Sequence, residues 1–442
     1  MKASIVSILA LLCLVLGGMS REGLAEQPTR TGFESGGNAS GEITPFEGVK
    51  GLECPSDYQK GQFLPNPYKN EKPLFRIDST NVDQYTARLS PGQVARLKKN
   101  TNYYMNIYPT HRNMEFYEKF YLATEKSMKS AHLDEKNILQ GFQGGIPFPV
   151  PKNGVEAMWN VKRPYMADDA YNHECRRVVS PSGKIKKTMR RDLVFTYDER
   201  RLNTVLPNPD GISYKIKAMY TYPADEKGTT YLTFGYIDDN RLEDAWLYLP
   251  TLRRVRRAPT LIGGGQMDGE STMDDLAFEF RGPINDWNWK LLGKKEMYIP
   301  MNNYDMWQVG APDQEECLPG DINPAGARYE LRRVWAVEGT PKEGLNHPYG
   351  KRVGYYDEDM WRAAAGDRYD VRGNLWRMLE FYNGYDYCQK QMLQYAAIYL
   401  NLESGRYELS GGCRTEETIT GVYDTGLSED EFTVQSLREF GR

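Results

Sequence analysis

The sequence is poor in the residues that usually announce chemistry. Only 4 of its 442 residues are histidine and 6 are cysteine. The histidines, His111, His132, His173 and His347, are scattered, and no two cysteines stand at zinc-type spacing. No metal site and no cofactor are expected, and each histidine is expected at the surface or in a hydrogen bond. The patterns GxxxxGK[ST] and GxSxG and the calcium-loop spacing are missing, so nothing points to a phosphate cradle, a serine nucleophile or an EF-hand. Gly263-Gly264-Gly265 therefore reads as a turn, and no catalytic residue and no enzyme are expected. Carboxylate pairs brought together from distant strands leave no spacing signal, so a hydrolase of glycan or lipid stays open as a further alternative. The net charge of −4 favours neither nucleic acid nor an anionic membrane surface. Long apolar runs are missing too: the one from Ile5 to Leu16 is about a dozen residues, short of the roughly 20 that span a bilayer.

That run follows Lys2 and reads as a secretory signal over residues 1–25, with Gly23-Leu24-Ala25 at the cleavage site and Gly18-Met19-Ser20 as a second option. Lipidation at Cys13 is not expected. The mature protein is expected in the periplasm, peripheral rather than integral to a membrane. An oxidising compartment permits disulfides among Cys54, Cys175, Cys317, Cys388 and Cys413, and the odd number leaves a thiol over. Cys388 and Cys413, both in the last segment, are the expected pair.

With 40% hydrophobic and 26% charged residues the chain can build a sizeable core. Its 31 tyrosines beside 15 phenylalanines suit a twisted antiparallel sheet whose rings are buried and whose hydroxyls reach a partner. Residues 26–60 read as a flexible leader or wrapping arm, 61–425 as the folded domain and 426–442 as a tail. Ser90 caps a helix that Pro91 opens and that runs to about Lys99. A second helix is expected from Asn113 to about Ala131, with Phe116, Phe120, Ala123 and Met128 along one stripe. Three alternating prolines force Gly144-Gly145-Ile146-Pro147-Phe148-Pro149-Val150-Pro151 into a loop. It either clamps down or projects Ile146, Phe148 and Val150 as a docking tip. A helix then opens after Asn153-Gly154, with Glu156 and Trp159.

From about Arg190 the chain reads as strands. Tyr214, Ile216, Ala218, Tyr220 and Tyr222 share one face, then Leu232, Phe234 and Tyr236. The Trp246 strand, Asp275 to Phe280, Trp287 to Tyr298, and Tyr329 to Val337 follow. Lys351 to Tyr356, Leu375 to Phe381 and Met392 to Leu400 complete the set, with Asn383-Gly384 among the turn signals. About ten antiparallel strands without crossover helices give a mainly β fold with helices (α+β): a curved antiparallel sheet, or half-open β-barrel, covered by the N-terminal helices. The segment from Ala245 to Arg257 stands out. Trp246 and Tyr248 point one way and Leu247 and Leu249 the other, Pro250 ends the strand, and Arg253, Arg254, Arg256 and Arg257 follow. Leu232, Phe234, Trp246, Tyr248, Leu331 and Trp335 are the candidate walls of an apolar cavity. The four arginines are its candidate rim, holding a headgroup or an acidic partner, or else a solvated edge. Asp268, Glu270, Asp274 and Asp275 read as a solvated turn or a counter-charge for those arginines.

Leu89-Ser90-Pro91-Gly92-Gln93, Tyr108-Pro109-Thr110-His111-Arg112, Gly144 to Pro149, Leu249-Pro250 to Pro259, Arg332-Arg333-Val334-Trp335 and Asp357-Glu358-Asp359-Met360-Trp361 resemble an uncharacterised bacterial family, commonly labelled outer-membrane lipoprotein-sorting-like. The likeness runs from about residue 60 to about 425. A looser likeness to the Lol lipoprotein carriers rests on the Leu-Pro-x-Leu-Arg-Arg-Val-Arg-Arg element and the strand pattern. The resemblance implies a half-barrel covered by helices around a cavity that receives acyl chains, and an association with large exporters. One departure stands after Trp159-Asn160, where Val161-Lys162-Arg163-Pro164-Tyr165 replaces the family's histidine and basic-aromatic run. The expected function is a carrier of a lipid, acylated or other hydrophobic molecule between envelope components, with an exporter or outer-membrane receptor as partner. The alternative is an assembly or accessory factor with no small ligand.

Overall fold

The computed structural model describes residues 29–258, 269–275, 279–306, 312–411 and 421–440. The expected signal segment 1–25, Gly263 to Gly265, Asp268 and Cys413 lie outside them. In chain order the first strands are β1 (Phe75–Ile77), β2 (Met105–Ile107), β3 (His132–Leu133) and β4 (Leu139–Gln140). A first meander follows: β5 (Asp169–Val179), β6 (Ile185–Thr196), β7 (Ile212–Tyr222), β8 (Thr230–Tyr236), β9 (Asp244–Leu249) and β10 (Arg254–Ala258). After β11 (Trp287–Pro300), β12 (Cys317–Leu318) and β13 (Asp321–Ile322) comes a second: β14 (Tyr329–Pro341), β15 (Lys351–Asp357), β16 (Ala363–Tyr369), β17 (Leu375–Asp386), β18 (Gln391–Asn401) and β19 (Tyr407–Gly411), then β20 (Val422–Tyr423).

Sixteen of these strands make one sheet, in the order β1-β2-β14-β15-β16-β17-β18-β19-β5-β6-β7-β8-β9-β10, with β11 on β14 and β20 on β5. The two meanders thus join edge to edge where the last strand of the second meets the first strand of the first. Apart from one parallel bridge, Tyr329 to Ile107, the pairings between these strands are antiparallel. β11 curls over far enough to touch β16 and β17, yet β10 and β11 do not pair among the described residues, so the sheet is curved and not closed into a barrel. Of the expected strand from Asp275 to Phe280, residues 276–278 lie outside the described residues; at its ends Asp275 lies in a turn and Glu279 takes a left-handed φ of 84°. Asn383-Gly384 is not a turn either. It sits inside β17, at a bulge after Tyr382.

Helix α1 (Pro91–Lys99) starts as its sequence dictates, with a capping box between Ser90 and Gln93, and lies on β16 and β17. Its N-terminus approaches so closely that a Cβ on Gly92 would stand 2.3 Å from Asp367 Oδ1. Helix α2 (Glu118–Ser130) starts later than expected, and Met128 is exposed instead of joining the stripe. Its buried face carries hydroxyls that tie down the proline loop: Thr124 Oγ1 accepts from Ile146 N (3.1 Å) and Ser127 Oγ donates to Gly144 O (2.8 Å). The loop is therefore a clamp. Ile146 is in the core, Phe148 packs against it, and Val150 alone of the proposed docking tip is exposed.

Residues 29–60 wrap the sheet. Phe33 and Ile43 are buried, and Arg112 holds the carbonyls of Glu34 (2.6 Å) and Gly36 (2.9 Å) while pairing with Asp359 (2.6 Å). The arm brings Cys54 to Cys388, which form a disulfide. The expected Cys388–Cys413 pair is thereby corrected: closeness along the chain gave way to the path of the arm. Cys175 is disulfide-bonded as well, and Cys317 is a free, buried thiol.

Of the acidic cluster expected before β11, the described residues Glu270, Asp274 and Asp275 are neither solvated nor paired with the arginines at 253–257. All three are buried. They meet a row of arginines that stand directly opposite one another on neighbouring strands, Arg352 to Arg368 to Arg377. Like charges in such register repel. Here each is matched: Arg352 with Asp274 (2.8 Å) and Asp275 (3.0 Å), Arg368 with Asp275 (2.9 Å) and Glu279 (2.5 Å), and Arg377 with Glu270 (3.1 Å).

Candidate functional site

A cleft opens on the first meander. Alternation along β6 sends Leu193 and Phe195 to one face and Val194 and Thr196 to the other. The first face is closed. Leu232 is the cross-strand partner of Trp246, and with Phe234 and Tyr248 it packs against Phe432 and Leu437 of the C-terminal segment, whose short last helix (Ser436–Phe440) lies across β8, β9 and β10. On the opposite face Val194 pairs with Ile216, and Tyr214 with Gly235. Gly235 has no side chain for a physical reason: a Cβ there would stand 2.4 Å from Tyr214 Cζ, so the tyrosine ring lies across the glycine.

Helix α3 (Gly154–Lys162) completes this second face. Asn153 caps it by accepting from Glu156 N (3.0 Å), and Gly154 lets it sit on β11, where a Cβ would meet the Trp289 backbone at 2.6 Å. Its C-terminal end delivers Val161, Lys162 and Arg163, followed by Pro164 and Met166. These, with Val194, Thr196, Tyr214, Ile216, Tyr236, Leu242, Phe280 and Pro283, enclose a cleft of about 130 Å³. Apolar cavities of roughly 150 Å³ stay dry and take a benzene-sized guest, so this one holds about five or six carbons. A second pocket, beside Phe116, Phe120 and Ile146, is about 20 Å³ and has room for little more than a water.

Charged residues ring the cleft. Lys162 pairs with Asp239 and donates to Gly282 O (2.6 Å), and Arg281 pairs with Glu243 (2.7 Å), which also accepts from Tyr214 Oη. Burial pulls the Lys162 ammonium below its usual range against the attraction of Asp239. Arg163 and Arg200 share one carboxylate, Asp198, at 3.3 and 2.8 Å, and both donate to Ser213 Oγ (2.7 and 2.9 Å). Burial pushes the Asp198 carboxyl up, and the Arg200 and Arg163 guanidiniums, with hydrogen bonds from Arg200 and Ser213, more than reverse it, leaving it below the usual carboxylate range. At the mouth the Arg241 guanidinium lies 3.4 Å over the Tyr236 ring and donates to Asp210 O (3.2 Å). The Tyr236 phenol, donating to Asp244 at 2.6 Å, is pushed up to about 12 by burial and by that carboxylate.

Residues 76–438 match the family described as Protein of unknown function (DUF1329). The chain belongs to the DUF1329 family. An uncharacterised protein of Pseudomonas aeruginosa, PA3922, is 36% identical over 423 residues, covering 93% of this chain and 91% of that one. Among solved structures, a DUF1329 family protein from Desulfovibrio piger is 17% identical, with a TM-score of 0.43, over 63% of this chain and 94% of that one. A putative outer membrane lipoprotein-sorting protein domain from Vibrio parahaemolyticus is 20% identical, with a TM-score of 0.44, over 64% and 98%. The LolA superfamily protein NE2245 from Nitrosomonas europaea is 15% identical, with a TM-score of 0.38, over 64% and 96%.

In this DUF1329 chain none of the six wall candidates lines the cleft. Leu232, Phe234, Trp246 and Tyr248 do share a face, but it is the one the C-terminal segment fills; Leu331 and Trp335 belong to two other cores of the second meander. The candidate rim is displaced as well. Arg254, Arg256 and Arg257 lie on the edge strand β10, beyond the turn that holds Arg253, and are exposed; Arg257 pairs with Asp244. No helix of the described residues is long and apolar enough to cross a membrane. Sequence reasoning placed Tyr214 and Ile216 on one strand face without giving them a role, and it missed Val194, Met166 and Phe280. The alternation of β7 was the available signal, and what it lacked was the identity of the covered face.

Proposed function

We propose that this protein binds and relays a hydrophobic or amphiphilic molecule between components of the bacterial envelope, in the periplasm, and that it does so without catalysing a reaction. The observation that carries the reading is the apolar-walled cleft left between α3, β6–β8 and Phe280–Pro283, beside a meander whose other face is packed shut. The cleft is smaller than a hollow for a whole acyl chain. Five or six carbons at about 0.8 kcal/mol each supply about 4 to 5 kcal/mol, an affinity between roughly 0.2 and 1 mM from this contact alone. Weak grip of this kind suits a relay, since release then needs no large conformational change. A longer chain would continue along the same face of β7, past Ala218 to Tyr220, whose ring meets Tyr231 edge to face at 5.9 Å.

The test is binding of the neutral fluorophore N-phenyl-1-naphthylamine to the full mature chain, beside native mass spectrometry of protein purified without detergent. Ile216→Trp, which fills the cleft, is expected to abolish binding at an unchanged thermal midpoint. Equal binding by the variant would move the site elsewhere. Protein that carries no hydrophobe, binds none, and instead captures an exporter would favour the accessory-factor alternative.

A further inference from the structure

The charges around the cleft are unevenly matched. Lys162 and Arg281 each have a carboxylate of their own, Asp239 and Glu243. Arg163 and Arg200 have one between them, Asp198, and all three are buried. Glu199 beside them makes no direct ion pair among the described residues, but its carboxylate adds a further counter-charge to both arginines, as Asp239 does to Arg163. Arg241 at the mouth has a backbone carbonyl and an aromatic ring for company. Asp244 is near enough to feel its charge but makes its ion pair with Arg257. Of the five cationic side chains lining the cleft, Arg241 is thus the one without an ion pair among the described residues, next to an apolar wall.

A guanidinium without an ion pair beside an apolar wall offers an arriving oxyanion charge-assisted hydrogen bonds that a neutral head cannot make. Stacking on Tyr236 also holds the Arg241 fork in one orientation before any ligand arrives, which lowers the ordering cost of a bidentate contact. We propose that the cleft selects a single-chain anionic amphiphile, its carboxylate or phosphate head held by Arg241 at the mouth and its chain on the apolar wall behind. This rests on the binding reading above and narrows it to a ligand class. A volume for about five or six carbons admits one chain and excludes a pair side by side.

The experiment is isothermal titration of the full mature chain with four probes of equal chain length: decanoate, decyl phosphate, decan-1-ol and decyltrimethylammonium. At least one anion is expected to bind ten-fold or more tighter than decanol, with the cation weakest. A preference for decanoate over decyl phosphate, or the reverse, supports the proposal and identifies a carboxylate or a phosphate source. Arg241→Gln, at an exposed position, is expected to shrink the gap between anion and alcohol to under three-fold through weaker anion binding, at an unchanged thermal midpoint. Equal binding of anions and decanol, tighter binding of the cation, or a gap unaltered by Arg241→Gln overturns the anionic class while leaving hydrophobe binding intact. Failure of all four probes overturns the binding reading itself.

Discussion

Phe432→Ala tests which face of the first meander is core. The Phe432 ring is fully buried, 5.4 Å from the Phe195 ring, with Lys217 Nζ 5.8 Å from its centroid. It plugs the face formed by Leu232, Phe234, Trp246 and Tyr248. Truncating a buried phenylalanine removes its transfer energy and leaves a cavity that neighbours refill only in part, which costs about 3 to 5 kcal/mol. Urea unfolding followed by tryptophan fluorescence is the assay, because Trp246 sits on this face and reports local loss even if the two meanders melt separately. The midpoint is expected to fall by the equivalent of at least 3 kcal/mol, with naphthylamine binding in the native baseline unchanged. A loss below about 1 kcal/mol together with increased probe uptake would show that the C-terminal segment is a displaceable cover over a ligand wall. The assignment of the site to the opposite face would then be wrong.

Three further outcomes follow from the interior. Burial raises the Asp367 carboxyl to about 6, against hydrogen bonds from Ser90 Oγ, Gly92 N and Tyr355 Oη. Since that lies above the ordinary 3.8, its stabilising share is complete below about pH 4 and is lost as pH rises through about 6, so the stability of the natural protein relative to Asp367→Asn should fall by up to about 3 kcal/mol between pH 4 and 7. A difference that does not change with pH contradicts this. Arg368→Met leaves Asp275 and Glu279 underpaired in the core and should cost about 3 to 5 kcal/mol by urea unfolding, where a near-neutral result would mean the arginine row is dispensable. Gly235→Ala pushes the Tyr214 ring off its glycine; about 1 to 3 kcal/mol of stability and most of the naphthylamine binding should go, and unaltered binding would detach Tyr214 from the site.

Much of the architecture was legible because alternation and turn chemistry are local. The α1 cap, the long strands β7, β11, β14 and β18, and the curved antiparallel sheet with its helices all follow from patterns a few residues long. Strands that bury charge were not legible. β16 reads Ala-Ala-Ala-Gly-Asp-Arg-Tyr and β5 is largely polar; both are strands because distant partners, Asp275 and Glu279 for Arg368, and Asp313 and Glu316 for Arg177, neutralise what they bury. The acidic turn was misread for the same reason. The site failed on one binary choice: Leu232, Phe234, Trp246 and Tyr248 form an apolar face, but whether residues 427–440 return to cover it is a tertiary fact that the period of a strand does not encode.

The most direct test of the binding reading is photolabelling of the full mature chain with a diazirine-bearing decanoate, the labelled residues being mapped by peptide mass spectrometry. Labels on Met166, Tyr214 and Ile216 that disappear in Ile216→Trp are the expected result. Labels on the Leu232 and Trp246 face, or a scatter that excess decanoate does not displace, would contradict it.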